Sequence, residues 1–146
     1  MAQDTRLARL LHVLIHMHLR DGTTTSETIA QMLHTNAVVV RRTMASLRDA
    51  GLVTSTGGRG GGWELACDLN RVTARHVYDA IAHTTAFAIG SADDNPSCPV
   101  EEAVNRLIES ALQDAEAALL RTLGARPLTA LVHGVASVRG RRGLKL

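Results

Sequence analysis

Five of the twelve glycines fall within six residues, 57–62, around a single Arg59. So bare a run fits neither a helix nor a packed strand. It is flanked by Leu52-Val53-Thr54-Ser55 and by Trp63-Glu64-Leu65, both of which read as short strands. The pattern predicts a small β-hairpin, or wing, whose loop adopts backbone conformations closed to other residues and comes close to another surface, with Arg59 supplying charge at the tip. A competing reading is the phosphate-binding loop of a nucleotide enzyme. Neither G-x-G-x-x-G nor G-x-x-x-x-G-K-[ST] fits these glycines, and no helix is expected after Trp63.

The residues before the wing are helical in pattern. Leu7, Leu10, Leu11 and Leu14 recur at helical spacing, and Val13, Ile15, Met17 and Leu19 add apolar surface on further faces until Asp21-Gly22. Such a helix must be covered on more than one side. Thr24-Thr25-Ser26-Glu27 then places Thr24 at an N-cap and Glu27 at N3, a capping box opening a short helix through Ile29, Ala30 and Leu33. His34-Thr35-Asn36 form a turn, with Asn36 able to cap the next helix. Over residues 37–50, Val40, Met44 and Leu47 define one buried face and leave Arg41, Arg42, Ala45 and Arg48 on the other, and Gly51 suits the C′ position. Two short helices three residues apart, the second with a basic exposed face, are the helix-turn-helix pattern, whose second helix enters the major groove of DNA.

After the wing, Thr73 caps a helix in which Val77, Ala80 and Ile81 face inward, followed by a turn-rich loop at 90–96. Pro99 at N1, with Glu101 and Glu102 in the first turn and Gly124 after the end, frames a long helix along which Val104, Leu107, Ile108, Ala111, Ala115, Ala118 and Leu119 step by threes and fours. At about 1.5 Å per residue it spans roughly 37 Å, longer than a domain this small covers by itself. The same helix of a second chain is the expected cover, making the protein a homodimer. A short helix is expected within 127–136. The tail 137–146, with Arg139, Arg141, Arg142 and Lys145, reads as disordered. The expected fold is mainly α, a winged helix-turn-helix with a small β-hairpin and a long C-terminal dimerisation helix. Its domains are 1–83 for DNA binding, 84–136 for the loop and dimerisation helices, and the tail.

Composition agrees. A chain of 146 residues with 45% hydrophobic and 21% charged residues is not a disordered one, and an aromatic content of 2% favours helices packed through Leu, Val, Ile and Ala. The net charge of +2 hides a partition. Residues 1–60 carry seven Lys and Arg against four Asp and Glu, residues 61–136 carry five against ten, and the last ten residues carry four against none. A basic front suits a polyanionic partner, double-stranded DNA. The most apolar stretch, residues 10–19, is interrupted by His12, His16 and His18 and is shorter than the roughly 20 residues of a membrane span, so no membrane is implied and a cytoplasmic location is expected. Two cysteines, Cys67 and Cys98, at no metal-ligand spacing argue against a disulfide framework and a zinc site. His12 and His16 are four apart without a clear third ligand, so no metal is expected. No Ser-His-Asp or Cys-His pairing is credited by spacing, so the chain is not read as an enzyme.

Taken together, Val39-Val40-Arg41-Arg42, Leu47-Arg48-Asp49-Ala50-Gly51-Leu52-Val53 and Gly60-Gly61-Gly62-Trp63-Glu64-Leu65-Ala66 resemble the Rrf2 family of bacterial transcription regulators, as do residues 73–82 and Cys98-Pro99-Val100. The resemblance implies a dimeric winged helix-turn-helix protein, with Asn36, Val38, Val39, Arg41 and Arg42 facing the major groove and Arg59 the adjacent minor groove or backbone. Asn36, Arg41-Arg42 and Trp63, where Tyr is commoner, are most like the branch of the family that lacks an iron–sulfur cluster. Cluster-binding members use three cysteines around the start of the long helix. Here Cys98 stands alone, which disfavours an iron–sulfur cluster, and no cofactor is expected. The wing also departs from the family, with Gly57 where Arg is frequent and Arg59 one step nearer the tip.

In chemical terms, Arg41 and Arg42 are candidates for bidentate contact with guanine O6 and N7, worth about 1–3 kcal/mol of discrimination each, or one of them contacts phosphate only, and Val39 suits thymine methyls. Thr25 and Ser26 are candidate phosphate partners. Cys98, beside a helix N-terminus, is a candidate redox thiol, and Cys67 a small core residue. The expected function is sequence-specific regulation of transcription, as a repressor on a pseudo-palindromic operator, with no effector specified. The alternative is a winged-helix module for protein contacts that regulates or scaffolds a metabolic enzyme complex, with a partner covering Arg41 and Arg42.

Overall fold

The computed structural model describes residues 3–20, 22–59, 61–81 and 86–142, with side chains through residue 135. The expected stop at Asp21, Gly60 of the wing, the 82–85 join that holds the expected domain boundary, and Lys145 lie outside the described residues. The chain divides into two units, one of Met1–Ile81 with Gly124–Leu146 and one of Ala82–Leu123.

The first unit begins with α1 (Arg6–Leu19), whose Leu10, Val13, Leu14, Ile15 and Met17 are all buried, as the many-sided apolar pattern requires. α2 (Ser26–Met32) starts one residue later than the capping-box pattern suggested. Thr24 is not its N-cap, because Thr24 is drawn into an extended bridge with Trp63, giving its N–H to the Trp63 carbonyl at 2.9 Å and accepting the Trp63 N–H at 2.8 Å. Thr25 takes the cap instead, its Oγ1 accepting the Thr28 N–H at 3.1 Å. Glu27 therefore lies one position short of N3 and is released from the expected box. α3 (Ala37–Asp49) obeys its sequence signals at both ends. Asn36 Oδ1 accepts the Val39 N–H at 3.0 Å, and Gly51, at φ +76°, closes a Schellman turn in which the N–H groups of Gly51 and Leu52 reach the carbonyls of Arg48 and Leu47, both at 2.9 Å.

β1 (Val53–Thr56) and β2 (Gly62–Leu65) pair antiparallel, Val53 opposite Leu65 and Thr56 opposite Gly62. Glycine is required at Gly62, where a Cβ would stand 2.5 Å from the Thr24 carbonyl oxygen, too close for any side chain. α4 (Ala74–Ala80) follows, with Thr73 at its N-cap and His76 Nδ1 accepting the Thr73 N–H at 3.0 Å. Val77 and Ile81 are buried as expected.

This unit is completed from the far end of the chain. Thr73 bridges Pro127, the Leu128 N–H reaches the Val72 carbonyl at 2.8 Å, and Leu128 is buried with Leu10, Leu14, Met44 and Leu47 in one core cluster. The expected division, continuous over 84–136, thus differs from the observed one, which returns residues from Gly124 onward to the first unit. α6 (Thr129–Arg142) also runs beyond the expected end at 136, so Ser137 to Arg142 continue a helix where a disordered tail was expected. Arginine is a good helix former and the segment contains no proline, so nothing forces the helix to stop at 136.

The second unit is built on α5 (Pro99–Gly124), which opens at Pro99 as expected and includes Gly124 as its last residue. Its loop is strapped to the helix by side chains. The Asn105 amide bonds both the N–H and the carbonyl of Ala92 at 2.9 Å, Glu101 accepts the Asn95 N–H at 2.9 Å, and Glu109 accepts the Ser91 hydroxyl at 2.9 Å. None of the 26 residues of α5 is buried, and Val100, Val104 and Leu107 are 69%, 51% and 68% exposed.

Candidate nucleic-acid interface

The buried row Val40, Met44 and Leu47 fixes α3 against the core, so the opposite arc faces outward by helical geometry. Val38 and Arg42, one turn apart, share the centre of that arc, and Val38 is 62% exposed. Val39 lies on one flank and Arg41 and Arg48 on the other. An exposed pair of valines beside arginines suits a surface that reads both methyl groups and polar base edges.

The cations on this face are not equivalent. Arg42 and, at the wing tip, Arg59 are exposed and have no ion pair among the described residues. Arg41 Nη2 lies 3.3 Å from Glu27 Oε1, and Arg48 Nη2 lies 3.4 Å from Asp49 Oδ1. Asn36 is exposed. Its oxygen is committed to the α3 cap, and its NH2 makes no bond among the described residues. Between α2, α3 and the wing lies an open cleft of about 540 Å³, lined by Thr25, Glu27, Arg41, Arg48, Thr56 and Trp63 among others.

Thr25 and Ser26 are turned to internal work. The Thr25 hydroxyl caps α2 and meets Thr28 Oγ1 at 2.9 Å, while Ser26 is buried with its Oγ accepting the Trp63 indole N–H at 3.0 Å. The Ser26 side chain thus fastens α2 to the wing. Sequence reasoning missed this junction. Its one signal was a lone tryptophan in a strand beside a glycine run, since a buried indole N–H needs an acceptor. The Glu27–Arg41 pair was also missed, because the box pattern had assigned Glu27 elsewhere.

The two cysteines differ in surroundings. Cys98 precedes the first residue of α5, where the backbone N–H groups of Glu101 and Val100 hold its thiol below the ordinary range. Cys67 Sγ lies 3.3 Å from the Leu52 carbonyl oxygen, and burial, with Asp68 adding, pushes that thiol up.

A profile of the Rrf2 family, described as "Iron-dependent Transcriptional regulator", matches residues 3–134. YwnA of Bacillus subtilis (strain 168), an HTH-type transcriptional regulator by name, is 30% identical over 125 residues, 86% of this chain and 92% of that protein. Among solved structures, a protein from Lactobacillus plantarum named as a transcriptional regulator superposes with a TM-score of 0.76 at 21% identity, covering 92% of this chain and 91% of its own. A second, named as a DNA-binding protein, gives a TM-score of 0.69 at 29% identity, covering 87% and 98%. The sequence contains two cysteines, Cys67 and Cys98, short of the three thiolates of the cluster-binding members. Among the described residues no helix is long and apolar enough to cross a membrane.

Proposed function

This chain belongs to the Rrf2 family of transcriptional regulators, and we propose that it acts in the cytoplasm as a homodimeric repressor of a pseudo-palindromic operator, without an iron–sulfur cluster. The observation that carries this reading is the outward arc of α3, where Val38 and Val39 are exposed beside Arg41 and Arg42, with the exposed Arg59 on the wing of the same unit. In this reading α3 enters the major groove. Arg41 and Arg42 address guanine O6 and N7, the valines meet thymine methyls, and the Asn36 NH2 reaches a phosphate. Arg59 contacts the adjacent minor groove or backbone. One relative named as a transcriptional regulator and another named as a DNA-binding protein favour DNA over an enzyme-scaffolding partner for this face.

The uncovered α5 supports a second copy of the chain as its cover, since Val100, Val104 and Leu107 otherwise stay in water. Cys98 is the proposed oxidant-sensitive group. Its thiolate attacks the O–O bond of hydrogen peroxide, an S–O bond forms, hydroxide leaves, and the sulfur is oxidised to sulfenic acid as the peroxide is reduced.

Selection from a random duplex library with the purified protein, with and without peroxide, tests the reading. A palindrome should be enriched by a protein that sediments as a dimer, and log affinity should fall with log salt by about 0.9 per phosphate contact. Arg42→Ala should cost about 1–3 kcal/mol and relax one base position per half-site. Arg59→Ala should weaken binding more evenly across sequences. Cys98→Ser should bind as the wild type does and lose any response to peroxide. Failure to enrich a sequence, or binding indifferent to salt, would sink the DNA reading, and an unchanged peroxide response would remove Cys98 as the sensor.

A further inference from the structure

Among the described residues lining the cleft between α2, α3 and the wing, Glu27 is the one acid, against the cations Arg41 and Arg48. Its carboxylate accepts from Arg41 Nη2 at 3.3 Å, with the two side chains 66% and 58% exposed. A pair so open to water adds little to folding. A carboxylate on a surface that meets phosphates also opposes binding to any DNA, whatever its sequence. The pair has a different use in discrimination. A free arginine adopts many rotamers, several of which reach phosphates on any duplex. One held at Nη2 has restricted aim and still has other N–H donors for a base edge.

We infer that Glu27 is a specificity-determining residue, which aims Arg41 at a base and penalises DNA lacking that base; this rests on the reading of α3 as the recognition helix. On the operator, the guanidinium serves the base and the carboxylate together. On other DNA, Arg41 must leave Glu27 to reach a phosphate, and an unpaired carboxylate then faces the polyanion. Arg42, with no ion pair among the described residues, carries no such penalty. Selectivity here comes from a built-in repulsion as well as from a contact.

The experiment uses the full-length protein as wild type, Glu27→Gln, Arg41→Ala and the double variant, with the duplex that the wild type selects and a shuffled duplex of the same length. Thermal melting confirms that each variant folds. Glu27→Gln should bind the shuffled duplex about two- to fivefold more tightly, with a salt slope steeper by about 0.9, while operator affinity changes by less than about twofold. In the Arg41→Ala background, Glu27→Gln should shift both duplexes equally and leave their ratio fixed. An unchanged ratio in Glu27→Gln, or a ratio shift that persists without Arg41, overturns the inference. A wild type that enriches no sequence instead fails the DNA-binding reading at the selection step, and the inference falls with it.

Discussion

Trp63 ties three parts of the interface together. Its backbone exchanges two hydrogen bonds with Thr24, its indole N–H ends on Ser26 of α2, and it stands opposite Ser55 across the hairpin at 5% exposure. Replacing it with Phe keeps a ring in the core but removes the donor and part of the volume, leaving the buried Ser26 hydroxyl without the indole. We expect Trp63→Phe to cost about 1–3 kcal/mol in urea unfolding, and to lower affinity for every DNA sequence alike by loosening the wing. A loss confined to particular operator bases would instead give Trp63 a role in base reading. The sequence marked Trp63 as unusual but not as a fastener, because its acceptor lies far away along the chain and is a residue type common at helix starts.

At the level of elements, legibility depended on whether the signal was local. Both ends of α3 could be read from Asn36 and Gly51, whose cap and left-handed turn involve near neighbours. The start of α2 could not, because the competing strand bridge that captured Thr24 is tertiary. α1 carries a further consequence of close packing. His16 Nδ1 is buried with no hydrogen-bond partner among the described residues, and its ring centroid lies 4.7 Å from that of His12. Burial first, then the charges of His12 and Arg20, lower the His16 pKa below its ordinary value of 6.5. The fold therefore favours the neutral ring. Its contribution to stability is complete above the ordinary pKa and is lost as pH falls through that value toward the lowered one. Melting temperature measured from pH 7.5 down to 5 should fall less in His16→Gln than in the wild type, and parallel curves would show that His16 does not govern this range.

For the whole molecule, the proposed DNA contacts all come from the basic first 60 residues, so the charge partition and the proposed interface point to the same end of the chain. The domain plan was less legible. Leu128, Leu131 and Val132 are spaced as in a helix, but that spacing does not say which core they enter, and Leu128 is 2% exposed in the core of the first unit and bonded to Val72. Leu128→Ala should destabilise the winged-helix unit by about 2–5 kcal/mol, measured by denaturant unfolding, although it lies outside the segment that the sequence assigned to DNA binding. A change of under about half a kcal/mol would mean that the first unit is complete without the return segment. The same topology makes α5 part of an insertion, with its unit joined to the winged helix by one strand of chain after Ile81 and another at Gly124. A domain hung on a single linker can swivel without disturbing its host, whereas an insertion anchored at two points transmits torsion through both, so a disturbance in α5 has two covalent routes into the fold that presents α3.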